Sequence, residues 1–262
     1  MSNPEAEPVS SKPAVIPALR AGLRALRRSP RALLMLLAAQ AVVAVIFLPG
    51  RWLHSNAALF PKPVSLVLPF LFDVAVELVT VSALCFARET LVLGKPARLS
   101  AFILPCTHGA RHGVGRAVLT ASCFILLQSG LTFLFAVAAL AVEPLPQPLK
   151  FACVILYFYA TDLLTAMIVA HARASFAFSP DIDGFHALLR DIKRWLPALL
   201  RFSLLGSLFG VALPLPAQTQ SASQTVYSYI YPLLGFSLLH LLSCVTLPFL
   251  YGGQGPCPLA DG

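Results

Sequence analysis

Residues 27–48 read RRSPRALLMLLAAQAVVAVIFL, a basic cluster that leads directly into an apolar run. An α-helix rises 1.5 Å per residue, so about 20 apolar residues cross the roughly 30 Å hydrocarbon layer of a membrane. Runs that approach or meet this length recur along the chain. The pattern predicts six membrane-spanning helices, over Ala32–Leu48, Val64–Ala87, Ala117–Val142, Leu149–Ala170, Ala198–Leu213 and Val226–Leu250.

The composition of the chain favours the same fold class. Of its 262 residues, 58% are hydrophobic and 11% are charged. Soluble domains carry about 25% charged residues, because water must wet their surface. We therefore expect an all-α polytopic protein whose main solvent is lipid. The six cysteines form no CxxC pair, so we expect free thiols and neither a metal nor a cofactor.

Basic residues lie mostly on one side of the predicted spans. Sixteen of the 19 lysines and arginines precede the first span, lie between the second and third spans, or lie around the connection from the fourth span to the fifth. The positive-inside rule then places both termini in the cytoplasm. A cleaved signal peptide is the alternative for the first apolar run. No convincing small-residue cleavage site follows Leu48, and the run belongs to an internal repeat, so we expect it to be retained.

The chain repeats one two-helix unit three times. Basic residues precede an apolar helix start at Ala32, at Ala117 and at Ala198. The tetrapeptides ELVT, DLLT and SCVT begin 45 residues after these alanines, which brings three threonines into register without a gap. A fixed period of this kind predicts repeated supersecondary units. We predict a membrane domain over residues 14–251 and disordered tails at 1–13 and 252–262, with repeats at about 14–93, 94–178 and 179–251.

Each unit opens with a candidate amphipathic segment at the membrane surface. In Ile16–Arg31 the arginines recur at three-to-four spacing, and Leu19, Leu23 and Leu26 supply an opposing apolar side. A basic amphipathic helix lies flat at the headgroup level. The candidate contacts to anionic lipid headgroups on the cytoplasmic side are Arg24, Arg27, Arg28, Arg111, Lys193 and Arg194.

The third unit also carries a family resemblance. Phe185-His186-Ala187-Leu188-Leu189-Arg190, followed by Trp195-Leu196-Pro197, leads from an amphipathic segment into a span. In this the chain resembles multi-pass bacterial membrane proteins related to the membrane domain of glycerophosphoryl diester phosphodiesterases, over about half its length. The resemblance implies an accessory module of a bacterial inner membrane and brings no catalytic residues. Mitochondrial carriers also have three two-span repeats, but their Pro-x-Asp/Glu-x-x-Lys/Arg signature is absent.

Polar residues within the predicted spans are the candidate functional residues, because charge in hydrocarbon is costly. Glu77 and Asp162 each precede an arginine by 11 residues, about 16 Å of helix, which places both acids near the bilayer centre. Around a threefold axis they would share one depth and could bind a cation or pass protons. The candidate intramembrane polar site comprises Asp73, Glu77, Gln128, Asp162, Ser243 and His240.

The alternative interpretation of these polar residues is structural, as hydrogen-bonding groups that hold neighbouring helices together. His240 fits this role, and His171 is expected at the cytoplasmic interface. His108 and His112 are four residues apart but have no carboxylate beside them, so they predict no metal site.

Function is less constrained than fold. No catalytic motif occurs, which favours a non-catalytic accessory or lipid-organising membrane subunit over an enzyme. A small transporter or permease that uses Glu77 and Asp162 is the alternative, because transporter sites often lie at midplane between repeats. An intramembrane lipid enzyme ranks last. We expect no nucleic-acid partner, because no segment outside the spans is long enough to form a basic domain.

Overall fold

The computed structural model describes residues 14–100, 102, 110–178, 196–205 and 222–251. Within these residues all regular secondary structure is helical, which confirms the predicted all-α class. The helices are α1 (Val15–Arg28), α2 (Pro30–Ser55), α3 (Lys62–Ala87), α4 (Ala110–Val142), α5 (Gln147–Phe178), α6 (described over Leu196–Leu205) and α7 (Ala222–Tyr251).

Every predicted span coincides with helix in the described residues, and the helices are mostly longer than predicted. α5, for example, continues past the predicted end at Ala170 to Phe178. Residues 206–213 of the fifth predicted span lie outside the described part of the chain. Among the described residues, Pro30–Gly50 and Lys62–Val92 are long and apolar enough to cross a membrane. The described apolar stretches of α5 and α7 are shorter, Leu163–Ala174 and Ser237–Tyr251.

The first helix is separate from the first apolar helix, as the sequence predicts for an amphipathic segment. Ser29 leaves the helical conformation (φ −126°, ψ 78°), and Pro30 starts α2 at a position where its missing N–H costs nothing. The predicted apolar side of α1 is wrong in detail, because Leu23 is 46% exposed. The buried face is instead Val15, Ala18, Gly22 and Leu26.

The end of α3 is modified by a π-helical turn, Arg88–Val92. Gly94 follows with φ +67°, a left-handed conformation that residues with a Cβ rarely adopt. Two contacts between Glu89 and Lys95 stabilise this turn. Lys95 N donates a hydrogen bond to the backbone oxygen of Glu89 over 3.0 Å, and the two side chains form an ion pair at 2.5 Å. The turn buries Arg88, which is 2% exposed.

Helix α3 occupies the centre of the described structure. It packs against its hairpin partner α2 and also against α4, α5 and α7. The three second helices of the predicted repeats, α3, α5 and α7, all contact one another. α1 packs across α7. The apolar side chains with little or no exposure in this core are Leu36, Leu84, Phe86, Leu199, Phe202 and Leu247.

Candidate functional site

A buried ion pair joins α3 to α5. Arg173 Nε donates to Glu77 Oε2 over 2.9 Å, and the Arg173 Nη2 donates to the other carboxylate oxygen. The side chain of Arg173 is 11% exposed and that of Glu77 is 7% exposed. A two-point guanidinium–carboxylate pair is among the stronger polar contacts in proteins, and it fixes the relative orientation of both helices.

The position of this pair depends on the register of α5 against α3. Cys85 Sγ donates to the backbone oxygen of Ala177 over 3.2 Å, which anchors the same two helices further along. In the repeat alignment Cys85 corresponds to Ala170, seven residues earlier. The contact therefore shifts α5 by about 10 Å of helix from strict repeat register with α3. This shift brings Arg173 within reach of Glu77.

A second buried contact joins α2 to α7. The Gln40 amide Nε2 donates to His240 Nδ1, across 200 residues of sequence. Gln40 is 7% exposed and His240 is 1% exposed. An imidazole that accepts at Nδ1 carries its proton on Nε2 when neutral. The backbone of Thr80, on α3, lies near the His240 ring.

The two contacts form one polar cluster, which we define as Gln40, Glu77, Thr80, Arg173 and His240. Arg173 connects them, because its charge acts on His240 as well as on Glu77. The cluster therefore spans α2, α3, α5 and α7. All five side chains are buried or nearly so.

The polar cluster lies at a similar depth on three of its helices. Gln40 lies a certain length of chain after the start of α2. Glu77 lies nearly the same length before the end of α3, and His240 nearly the same length before the end of α7. This length is about three helical turns, or roughly 16 Å along the helix axis. All three termini belong to the side on which the sequence places the basic residues.

The chemistry of the polar cluster follows from its pairing. Arg173 neutralises the carboxylate of Glu77 and occupies both of its oxygens. A carboxylate held in this way is a poor ligand for a cation, because binding would first have to displace a buried guanidinium. Burial without a partner would cost several kcal/mol for either charge. The arrangement is therefore suited to holding helices together.

The structure brings together two members of the candidate polar site, Glu77 and His240, through Arg173. Ser243 is buried one turn from His240 and donates locally to the Leu239 carbonyl over 2.8 Å. Asp73 is half-buried on α3, one turn before Glu77. The other two members lie on helices, but their side chains are outside what the structure describes: Gln128 on α4 and Asp162 on α5. Asp162 is 11 residues from Arg173, about 16 Å of helix.

A further buried pair lies near the ends of α5 and α7. His171 Nδ1 and the hydroxyl of Tyr251 are hydrogen-bonded, and their rings are 5.8 Å apart. His171 is 1% exposed, so it is buried between the helices. Its expected position at the cytoplasmic interface stays a prediction. Its helix continues for seven more residues to Phe178, which carries the ring inside the bundle.

The candidate headgroup contacts are described in part. Arg24, Arg27 and Arg28 are exposed on α1, on the side away from its buried face. Arg111 lies on α4, but its side chain is outside the described set, as are Lys193 and Arg194 entirely.

Sequence reasoning left three members of the polar cluster out of the candidate polar site: Gln40, Thr80 and Arg173. Thr80 was recognised only as a marker of the repeat. Gln40 had a usable signal, because it is the only polar side chain within Ala32–Leu48. Arg173 was counted among the basic residues at the cytoplasmic edge. Its signal was weaker: the apolar and small residues of 174–178 continue the helix beyond it.

Three comparisons with known proteins show no similarity: no family model, no curated protein and no solved structure matches this chain. The resemblance to the phosphodiesterase membrane domain therefore stays an expectation. Among the described residues, no three histidine, cysteine or acidic side chains are grouped to hold a metal ion.

Proposed function

We propose that this chain is a six-span integral membrane protein that acts as a non-catalytic accessory or lipid-organising subunit. The single observation that carries this function is the Glu77–Arg173 ion pair, which commits an acid inside a predicted span to helix packing. The supporting observations concern its solvent, its topology and its polar groups.

Lipid as the solvent is supported by the exposed surface of the long helices. In the apolar 18-residue stretch of each helix, only 28% is buried inside the protein for Pro30–Gly50 and 29% for Lys62–Val92. The core helix of a soluble protein would be mostly buried. Side chains that are about two-thirds exposed or more include Leu34, Val45, Leu126, Phe133, Leu140, Phe151 and Leu156. Water would penalise so much apolar surface, whereas hydrocarbon accepts it.

The six-span arrangement is supported by helix lengths and by packing. α4, α5 and α7 have 33, 32 and 30 residues, each more than the roughly 20 that a span needs. α2 packs on α3, and α4 packs on α5, as two hairpins. Removing the buried Arg88 and Arg173 from the basic residues assigned to one side leaves 14 of 19 there. The positive-inside bias thus survives, with both termini in the cytoplasm.

The accessory function, as opposed to transport, is supported by the way the polar groups are used. Glu77 is paired and His240 is hydrogen-bonded between helices. Such contacts stabilise a bundle without providing a path for ions. A small transporter is the alternative. It would have to use Asp162, which is the residue equivalent to Glu77 in the second repeat.

Flux through reconstituted protein tests the accessory function. Purified protein is placed in phosphatidylcholine vesicles that enclose a pH-sensitive dye, and a proton, Na⁺ or K⁺ gradient is imposed. We expect the same rate of pH change as in protein-free vesicles for the native chain. Flux above that level would contradict the proposal if Glu77→Gln with Asp162→Asn abolished it. Glu143→Gln, at an exposed acid in the connection between α4 and α5, is the matched control.

A further inference from the structure

We propose that the basic face of α1 is a binding surface for the phosphate headgroups of anionic phospholipids, and that its docking on α7 couples headgroup binding to the stability of the whole bundle. This inference rests on the membrane location in the proposed function. It adds a defined site and an energetic consequence.

α1 is docked on the bundle by a close approach of backbones. A Cβ added at Gly22 would lie 2.0 Å from the carbonyl oxygen of Val245 and 2.7 Å from its side chain. Only glycine fits at this crossing. Val15, Ala18 and Leu26 complete the buried face, one to two turns to either side. α1 is thus an integral part of the core and does not float on the membrane surface.

The other faces of α1 divide into two stripes. At 100° per residue, Arg20, Arg24, Arg27 and Arg28 point away from the buried face, and all four are exposed. Ile16 and Leu23 lie between the basic stripe and the buried face, and they are 56% and 46% exposed. A basic stripe bordered by exposed apolar side chains matches the boundary between headgroups and acyl chains. Binding of a nucleic-acid backbone would not require the exposed apolar side chains that border the basic stripe.

The arginines of α1 have no acidic neighbours in their own part of the chain. No aspartate or glutamate occurs between Glu7 and Asp73. Among the described residues the ion pairs are Glu89–Lys95 and Glu77–Arg173, neither of which involves α1. Arg24 Nε donates to the Arg20 carbonyl over 3.3 Å, which lays its side chain along the helix. Within the described residues, the face therefore presents several positive charges that no acidic side chain pairs with, and an anionic partner could bind there.

Headgroup binding to this face should stabilise the folded protein. A ligand that binds only the folded state raises the free energy of unfolding by mass action. The folded state is the one that presents α1, because the stripe of arginines is oriented by the contact of Gly22 with Val245. An anionic lipid should therefore raise the unfolding temperature, and a zwitterionic lipid should raise it much less.

The test uses the full chain in an uncharged detergent. Phosphatidylglycerol or phosphatidylcholine is titrated into the micelles, and the unfolding temperature is recorded at each mole fraction. The mole fraction that gives half of the maximal rise measures apparent affinity. A basic residue near an anionic surface contributes about fivefold in affinity, so Arg24→Gln with Arg28→Gln should weaken the phosphatidylglycerol effect roughly 30-fold. Both side chains are exposed, so the variant should fold.

The matched control removes two charges from the opposite side of the predicted bundle. Lys62→Gln with Lys150→Gln should leave the phosphatidylglycerol response unchanged, because neither lysine lies on α1. Raising the NaCl concentration should weaken the native response, because salt screens exposed charges. An equal loss in both double variants would overturn the assignment to α1. So would a response to inorganic phosphate or to single-stranded RNA as large as that to the lipid.

Failure of this inference differs from failure of the accessory function. A phosphatidylglycerol response that does not depend on Arg24 and Arg28 overturns the headgroup site only. A coupled ion flux overturns the accessory function and leaves the lipid response in place.

Discussion

At the scale of single residues, the fold depends on how a few charged and polar side chains are matched inside an apolar bundle. Glu77 and Arg173 stand 96 residues apart and find each other through the packing of α3 on α5. Taking both charges out of water is costly, and their attraction offsets this only while both are present. The net gain from the pair is therefore small, whereas the loss from removing one partner is large.

Removing one member of this pair gives the first residue-scale prediction. Glu77→Gln leaves the Arg173 guanidinium buried without a counter-charge, which should lower the free energy of unfolding by about 3–5 kcal/mol. Arg173→Gln should cost a similar amount. The double variant should cost clearly less than the sum, because two amides can bond to each other. Unfolding in mixed micelles of SDS and an uncharged detergent measures these differences.

The control for this cycle is Glu143→Gln, which removes an exposed carboxylate from a connection. Surface substitutions usually change stability by less than about 0.5 kcal/mol. A Glu77→Gln variant as stable as this control would show that the ion pair does not hold α3 to α5. The same conclusion would follow if the loss of stability in the double variant equalled the sum of the losses in the two single variants.

The sequence predicted a depth for Glu77 in the membrane but not its partner. Counting residues from the helix end suffices for depth, because helical rise is constant. A partner 96 residues away depends on the register between helices, which local patterns do not encode. The repeat alignment suggested Asp162 at the same level, and the contact of Cys85 with Ala177 shows that α5 is shifted relative to that alignment.

At the scale of elements, the attachment of α1 to α7 depends on a single missing side chain. Gly22→Ala should force α1 away from α7, because the new Cβ would meet the backbone oxygen of Val245 and not the end of a flexible side chain. Overpacking of this kind costs about 1–3 kcal/mol. Thermal unfolding in detergent measures the loss, and proteolysis at the exposed arginines of α1 should become faster.

Gly130→Ala is the matched control for this substitution. Gly130 is also helical, on α4, and a Cβ there would meet nothing within 4 Å. Alanine has a higher helix propensity, so this variant should be unchanged or more stable by up to about 1 kcal/mol. Equal losses in both variants would mean that the α1–α7 contact is not tight.

Element positions were the most predictable part of the structure. Hydropathy located helix at each predicted span, because long apolar runs leave few alternatives to a helix. Amphipathic spacing also located α1, but it misjudged which face is buried. Leu26 is buried as expected, but Leu23 is exposed and the small residues Ala18 and Gly22 are buried, because they let the backbones approach. Preferences of this kind depend on the partner surface, which the pattern of one helix does not contain.

At the scale of the whole molecule, the bundle is organised around α3. Its hairpin partner and the second helices of the other units all contact it. Polar contacts cross the centre, and apolar side chains face outward along the long helices. The large exposed apolar surface supports the proposal that hydrocarbon surrounds the bundle. We therefore propose that the helices cross a membrane, with alternating connections on opposite sides.

Labelling from one side of the membrane tests that claim most directly. In a chain whose cysteines are replaced by alanine, single cysteines are introduced as Asn56→Cys, Arg98→Cys and Glu143→Cys, all in connections between helices. An impermeant maleimide is then added outside intact cells. We predict labelling at positions 56 and 143 without permeabilisation, and at position 98 only after it. Equal labelling at all three positions, or recovery of the protein in a detergent-free soluble fraction, would contradict the account.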